Sequence, residues 1–395
     1  MISFDEALAM IEQSTARTDV VRSALGDAAG MTLAAPVIAR IDAPRCDVSA
    51  MDGYALRAED LRELPARLDV VGTSYPGMDE LPEVARGQCA RIFTGAPLPV
   101  ACDRIAIQEN VRREGEIAII AEPTRGPDFI RRRGADFREG EELLPEGHVL
   151  GPRSLVTAAG GDCSNLTVHA RPKIVILGTG DELVAPGIAR QNARAVPQSI
   201  SVGLAAAIGA WGGECLRAET LPDDLDSLVA AAQRAVSDAD LVVVTGGASV
   251  GERDFAKAMF EPAGLELMFS KVAMKPGKPV WLGKVGSALV MGLPGNPTSA
   301  MVTARLLLAP LLRVISGGEA NDALRWHAGR LSQPLPATGD RETFIRAAHD
   351  GDGIRPLAYQ DSGAQLTLAQ ADLLVRCPAG MSERAIGETV EIIDF

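Results

Sequence analysis

Three lysines fall within nine residues in the stretch KVAMKPGKP, residues 271–279, at Lys271, Lys275 and Lys278. The chain has 39 basic residues, and only six of them are lysine. Lysine is a compact, strongly hydrated charge on a flexible stem, which suits a phosphate or a tetrahedral oxyanion. Pro276 and Gly277 separate Lys275 from Lys278, and Pro279 follows, so the segment reads as a stiff turn that aims ammonium groups.

Three more stretches carry chemistry: LGTGDEL (177–183), TGGASVGERDF (245–255) and LPGNPTSA (293–300). Gly180, Gly246 and Gly247 would let backbone N–H groups approach an anion closely, with Ser249 beside them, and Pro294 and Pro297 flank a Gly-Asn turn ahead of a helix. Glycine also ends strands for turn geometry alone. Three such loops with lysines nearby favour an anion pocket. They are not a dinucleotide fingerprint, and no GxxxxGK[ST] loop occurs. The carboxylates Glu182, Asp223 and Asp254 would repel an anion unless a divalent cation bridged them, so the pattern implies Mg²⁺, with Glu182 and Asp254 as its ligands. The competing reading is that the lysines simply pair with these carboxylates. CDVSAMDGYALR (46–57) holds Asp52, RIFTGAPLP (91–99) holds Thr94 and RRRGADFREGE (131–141) holds Asp136; spacing alone makes each a turn signature.

The elements that must position these groups form four textures. Residues 1–43 carry helical periodicity, with Ala7, Leu8 and Ile11 on one face, Val20, Val21 and Leu25 on another, and Ser3 and Glu6 spaced as a capping box. Residues 45–140 are short apolar runs broken by Gly and Pro, a β-rich module, after which SLVTAAGG (154–161) returns to helix. KIVILGTG (173–180) and ADLVVVTGG (239–247) read as buried parallel strands alternating with helices, a doubly wound α/β domain whose ligands bind at the carboxyl ends of its strands. Short alternating strands from 325 onward suggest a small C-terminal β-barrel. The expected domains are a discontinuous helical domain (1–44 and 141–171), the β-rich module (45–140), the α/β domain (172–318) and the barrel (319–395).

Composition limits the function classes. A formal net charge of -13 leaves no long basic face for nucleic acid or anionic membrane; IRRRGADFR (130–138) is the one arginine-rich exception and reads as a solvated loop. The amino terminus shows no secretory pattern, and RLLLAPLLRVI (305–315) is too short to span a membrane and is interrupted by Pro310. Six cysteines with no CxxC pair and four scattered histidines argue against a zinc site or a disulfide framework, and fit a reducing cytoplasm.

SAMDGYA, RIFTGAPLP, RRRGADFREGE, TGDEL, TGGASVGERD, MKPGKP and LPGNP occur in the order found in the molybdopterin molybdenumtransferase family, and the chain resembles its bacterial MoeA type, whose relatives include the C-terminal domain of gephyrin. The resemblance covers essentially the whole chain. It implies four domains, an elongated homodimer with active sites shared between subunits, and the last step of molybdenum cofactor synthesis. In that step molybdate enters the dithiolene of adenylylated molybdopterin and AMP leaves in a Mg²⁺-dependent hydrolysis. The family's functional positions fall on Asp52, Thr94, Asp136, Glu182, Asp223, Ser249, Asp254, Lys271, Lys275, Lys278, Pro294 and Pro297. RETFIR and YQDSGAQL resemble the molybdate-side segments and point to Arg341 and Ser362. Expected partners are the molybdopterin adenylyltransferase and the apoenzymes that accept the finished cofactor. This sequence departs from the family at Ile200, where an asparagine is usual after Ser199, and at Gly363 and Ala364, where some relatives have serine and arginine. A non-catalytic scaffold and the adenylyltransferase itself, which shares the α/β domain, are the alternative readings.

Overall fold

The computed structural model describes residues 1–122, 128–246 and 255–395. At its centre lies a six-stranded sheet in the order Glu214–Leu221, Lys173–Thr179, Leu241–Thr245, Ala288–Leu293, Trp281–Val285, Glu266–Phe269. The first four strands are parallel, and Trp281–Val285 pairs antiparallel with both of its neighbours. The middle strands are buried at every position because both faces are covered, as the continuous valine run requires. Ile174, Ile176, Val243 and Met291 face a core shared with the helices Ile200–Ala210 and Pro297–Thr303. Val175, Leu177, Val242 and Val244 face the helix Leu225–Asp238. Each such side chain taken fully out of water contributes about 1.5–3 kcal/mol.

Helical structure runs unbroken from Pro297 to Ile315, and most of it is buried inside the fold. It is long and apolar enough to cross a membrane by composition, which corrects the expectation of a short segment stopped at Pro310. The chain passes through Pro310 because a π-helical turn, Ala304–Leu308, precedes it and absorbs the register change where proline has no N–H to donate.

The N-terminal helix Phe4–Ser14 starts with the capping box read from sequence: the Glu6 N–H donates to Ser3 Oγ at 3.1 Å, and the Ser3 N–H to Glu6 Oε2 at 2.7 Å. Its Phe4, Ala7, Leu8 and Ile11 enter the main core. The second helical face does not exist. Val20–Ala24 is a strand paired antiparallel with Asn165–His169, and Val20 and Val21 are exposed. β-branched neighbours at that point favour the extended ribbon. The helix Pro152–Gly160 packs with Ala28, Met31, Leu33 and Leu166 in a separate small core.

Residues 48–120 hold a second six-stranded sheet, in the order Arg104–Ile107, Gly53–Leu56, Gln88–Ile92, Ala66–Ser74, Ile117–Ile120, Val111–Glu114. The C-terminal sheet runs His327–Arg330, Thr389–Asp394, Leu373–Cys377, Glu342–Asp350, with Gly353–Pro356 beside the last. It curls until Leu331 bridges Ile354, around Ile345, Ala347, Val375 and Ile392. One further strand joins it from outside: Met274–Lys275 pairs parallel with Glu342 and Thr343. The lysine segment thus leaves the α/β domain and becomes an edge of the C-terminal sheet. Arg376 fastens the same junction, with Nε donating to Glu342 Oε1 at 2.5 Å, NH2 to Asp5 Oδ1 at 2.9 Å, and the guanidinium 5.4 Å from the ring centres of both Phe4 and Trp326.

Gly292, in register with Trp281, sits where a Cβ would overlap the buried indole nitrogen. Gly292→Ala is therefore expected to destabilise the chain by about 1–3 kcal/mol through overpacking. A lower urea midpoint at unchanged m-value is the expected result, and an unchanged midpoint contradicts it.

Candidate functional site

The turn after Met274–Lys275 is tied on both sides. Ala273 N–H donates to Ile2 O at 2.7 Å, Glu342 N–H to Ala273 O at 3.2 Å, and Val280 N–H to Gly277 O at 3.0 Å. Gly277 has a φ of 109°, and a Cβ there would run into Thr303 Oγ1, so glycine is needed for both conformation and space. Lys271, Lys275 and Lys278 are exposed and make no ion pair among the described residues. The lysines do not pair with the described carboxylates.

Beside this turn opens a cleft of about 800 Å³. One wall is α/β: Lys275, Lys278, Pro279, Pro294 and Asn296; the other is C-terminal: Arg341, Arg346, Gln360 and Ser362. Four cationic side chains (Lys275, Lys278, Arg341, Arg346) line it against two carboxylates, Asp340 and Asp361, so its field favours an anion. The two walls are bonded at their floor, where Asn296 Nδ2 donates to Ser362 Oγ at 3.0 Å and Thr298 N–H to Ser362 O at 3.2 Å. Pro297 is the first residue of the helix that begins there.

The carboxyl ends of the parallel strands form the neighbouring part of the site. Gly180, Gly246 and Pro294 follow three adjacent strands, and the Gly246 backbone lies against Gly295. The Glu182 carboxylate folds back over Gly180, whose φ is 151°, and Asp223 N–H donates to Asp181 Oδ1 at 3.0 Å. Asp224 is occupied as the cap of the next helix, accepting from Ser227 N–H at 3.0 Å, and its hydrogen bonds to Ser227 hold its carboxyl below the usual range. Gly247, Ser249 and Asp254 lie outside the described residues. Glu182 is an exposed hard-oxygen donor with no ion pair among the described residues, and Mg²⁺ commonly takes one or two carboxylates and completes its shell with water and substrate phosphate. The donor chemistry therefore fits Mg²⁺. Among the described residues no three His, Cys, Asp or Glu side chains converge as a preformed metal site.

Asp52 and Thr94 meet each other in the β module: Thr94 N–H and Oγ1 both donate to Asp52 Oδ1 at 2.8 Å. The Thr94 N–H chiefly, then its hydroxyl, holds the Asp52 carboxyl below the ordinary aspartate value. Asp136 is exposed on a turn of the same module. Asp52, Thr94 and Asp136 do not line the cleft. The arginine run is exposed, as a solvated segment would be, and it is tied down by surface ion pairs: Arg132 pairs with Asp47 at 2.8 Å and Asp128 at 2.6 Å, and Arg133 pairs with Asp42.

Three family models match the chain in sequence: the MoeA N-terminal region (domain I and II) over residues 2–161, a "probable molybdopterin binding domain" over 175–314, and the MoeA C-terminal region (domain IV) over 328–395. The chain is 32% identical over 378 residues to the molybdopterin molybdenumtransferase of a Nostoc species, covering 93% of this chain and 86% of the relative. The chain belongs to the MoeA family. The Haemophilus influenzae molybdopterin molybdenumtransferase is 36% identical over 320 residues, covering 80% of this chain and 78% of its own. A crystal structure of the Pyrococcus horikoshii MoeA protein superposes on the whole chain with a TM-score of 0.85 at 24% identity, and shares the fold.

The MoeA departure at Ile200 has a packing reason: the side chain is 7% exposed and sits in the core with Leu204 and Ile208. Sequence reasoning missed Gln198, whose Oε1 accepts from the Ile200 N–H at 3.2 Å and so caps that helix. It also missed Arg346.

The pairing at Asp52 carries a pH signature. A carboxyl held low adds stability above its unfolded value, near 3.9, and loses it as pH falls through the folded value. Thr94→Ala removes the hydroxyl but keeps the N–H donor, so the Asp52 titration followed by NMR should move part of the way up towards the ordinary value. An unmoved midpoint would refute the side-chain contribution.

Proposed function

We propose that this chain inserts molybdate into adenylylated molybdopterin with release of AMP, as an enzyme of molybdenum cofactor biosynthesis. The observation that carries the reading is the two-walled cationic cleft beside the glycine-lined strand ends, in a chain whose relatives are named molybdopterin molybdenumtransferase. Lys275 and Lys278 from one wall and Arg341 with Ser362 from the other would hold the tetrahedral oxyanion. The strand-end loops at Gly180, Gly246 and Pro294 would hold the pterin nucleotide, with Lys271 at the edge of the lysine segment.

Water cleaves the phosphoanhydride that carries AMP, and fixed cations stabilise the charge gathered on the departing phosphate. No covalent nucleophile is invoked. Mg²⁺, held by Glu182 with Asp254, would supply charge neutralisation at that phosphate. Free thiols on all six cysteines support action in a reducing cytoplasm.

Lys275→Ala is expected to lower molybdate-dependent AMP release at least about tenfold, the equivalent of about 1.4 kcal/mol of contact energy, with little change in Tm because the side chain is exposed. Wild-type release by this variant would remove Lys275 from the site. Glu182→Gln should shift the Mg²⁺ titration of AMP release to higher concentration, whereas an unchanged titration removes Glu182 from the metal.

Asp52, Thr94 and Asp136 lie off the cleft, which supports a homodimer in which the β module of one subunit completes the site of the other. Random mixing of Asp52→Ala and Lys275→Ala subunits should restore roughly a quarter of wild-type activity, because about half the dimers are mixed and each has one intact site. Mixed dimers as inactive as their parents contradict the shared site.

A further inference from the structure

Arg346 lies on the strand Glu342–Asp350 and is 1% exposed, although it carries a full charge at the wall of the cleft. A guanidinium has five N–H donors, and Arg346 has five acceptors. Nε donates to Gln360 Oε1 at 3.3 Å, NH1 to Thr298 Oγ1 at 3.5 Å and Ala364 O at 3.4 Å, and NH2 to Tyr359 O at 3.3 Å and Asp361 O at 3.0 Å. Every acceptor is neutral. The Asp361 carboxylate is turned to the Gly363 N–H at 2.8 Å, and no ion pair reaches Arg346 among the described residues. Gln360 clamps the arginine from behind, accepting from its backbone N–H at 3.1 Å and donating to its carbonyl at 2.8 Å.

Burying a cation without a counter-ion is costly, even when its hydrogen bonds are satisfied. What the protein gains is order in residues 359–364, the loop that presents Ser362 to the cleft, and a tie from that loop to Thr298 on the opposite wall. Its positive charge lies in the wall of the same cleft that Lys275, Lys278 and Arg341 line.

We propose that Arg346 is a positioning residue for the oxyanion half of the cleft: its fork fixes the Ser362 loop against the α/β wall, and its charge, which no direct ion pair among the described residues neutralises, favours a tetrahedral dianion there. This rests on the functional reading above. Arg346 has no donor left for the substrate, so it acts through Ser362 and through its field.

The test is calorimetric titration of full-length protein with sodium molybdate, paired with steady-state kinetics on both substrates. Arg346→Met should raise the molybdate Kd and KM at least tenfold while the KM for adenylylated molybdopterin stays within about twofold. Arg346→Lys keeps the charge but cannot reproduce the fork, and should weaken molybdate at least threefold. A merely structural arginine would move both KM values together. Folding is checked by circular dichroism, and Arg346→Lys alone decides the matter if the methionine variant does not fold. Variants that bind molybdate like wild type overturn the proposal and leave the functional reading standing. A wild type that binds no molybdate overturns that reading and the proposal with it.

Discussion

The site depends on two residues of backbone pairing. Met274 and Lys275 leave the sheet of their own domain and line up with Glu342 and Thr343 of the next. Main-chain hydrogen bonds have little freedom in length or direction, so this short ladder sets the distance between the two walls of the cleft. The cations of the cleft are hung from it: Lys275 is in the ladder, Lys278 is three residues beyond, Arg341 immediately precedes the partner strand and Arg346 lies on it. The contacts of Arg376 with Phe4, Trp326, Glu342 and Asp5 lock the same corner from outside. A cleft lined mostly by cations is thus built at the seam between the α/β and C-terminal sheets rather than inside either.

Strand Glu342–Asp350 explains why the seam is well packed. Its residues 344–348 are all buried, with Ile345 and Ala347 in the C-terminal core and Phe344 in the core of the α/β domain. Arg346 has the parity of Phe344 and so faces the α/β side. An apolar residue at that position would extend the core, whereas a guanidinium there organises a loop.

Sequence reading succeeded where one element answers to one physical cause. The valine run Leu241–Thr245 has to be a strand covered on both faces, and Ser3 with Glu6 has to begin a helix. It failed where the cause lies in another part of the chain. Val20 and Val21 have the spacing of a helix face but find a partner strand some 145 residues away, Asn165–His169. Pro310 stops a helix unless the preceding turn widens, which no local residue announces. Arg346 in TFIRAAHD looks like one exposed position of an alternating strand, and only the second covering layer buries it. The clustering of the lysines was legible in the sequence; the strand that carries them across the seam was not. Gly247, Ser249 and Asp254 lie outside the described residues, so the acidic side of the site rests on Glu182 and Asp223.

A cleft made by two domains is also an adhesive between them. Any ligand that touches both walls binds the docked arrangement and not the separated one, so occupancy adds to the docking free energy by RT ln(1 + [L]/Kd), about 2.7 kcal/mol at a hundredfold excess over Kd. The lysines and the nearby arginines repel one another across the seam, and any anion lying between them converts that repulsion into attraction. The fastening of the C-terminal domain is therefore adjustable: it tightens with whatever anion bridges the two walls.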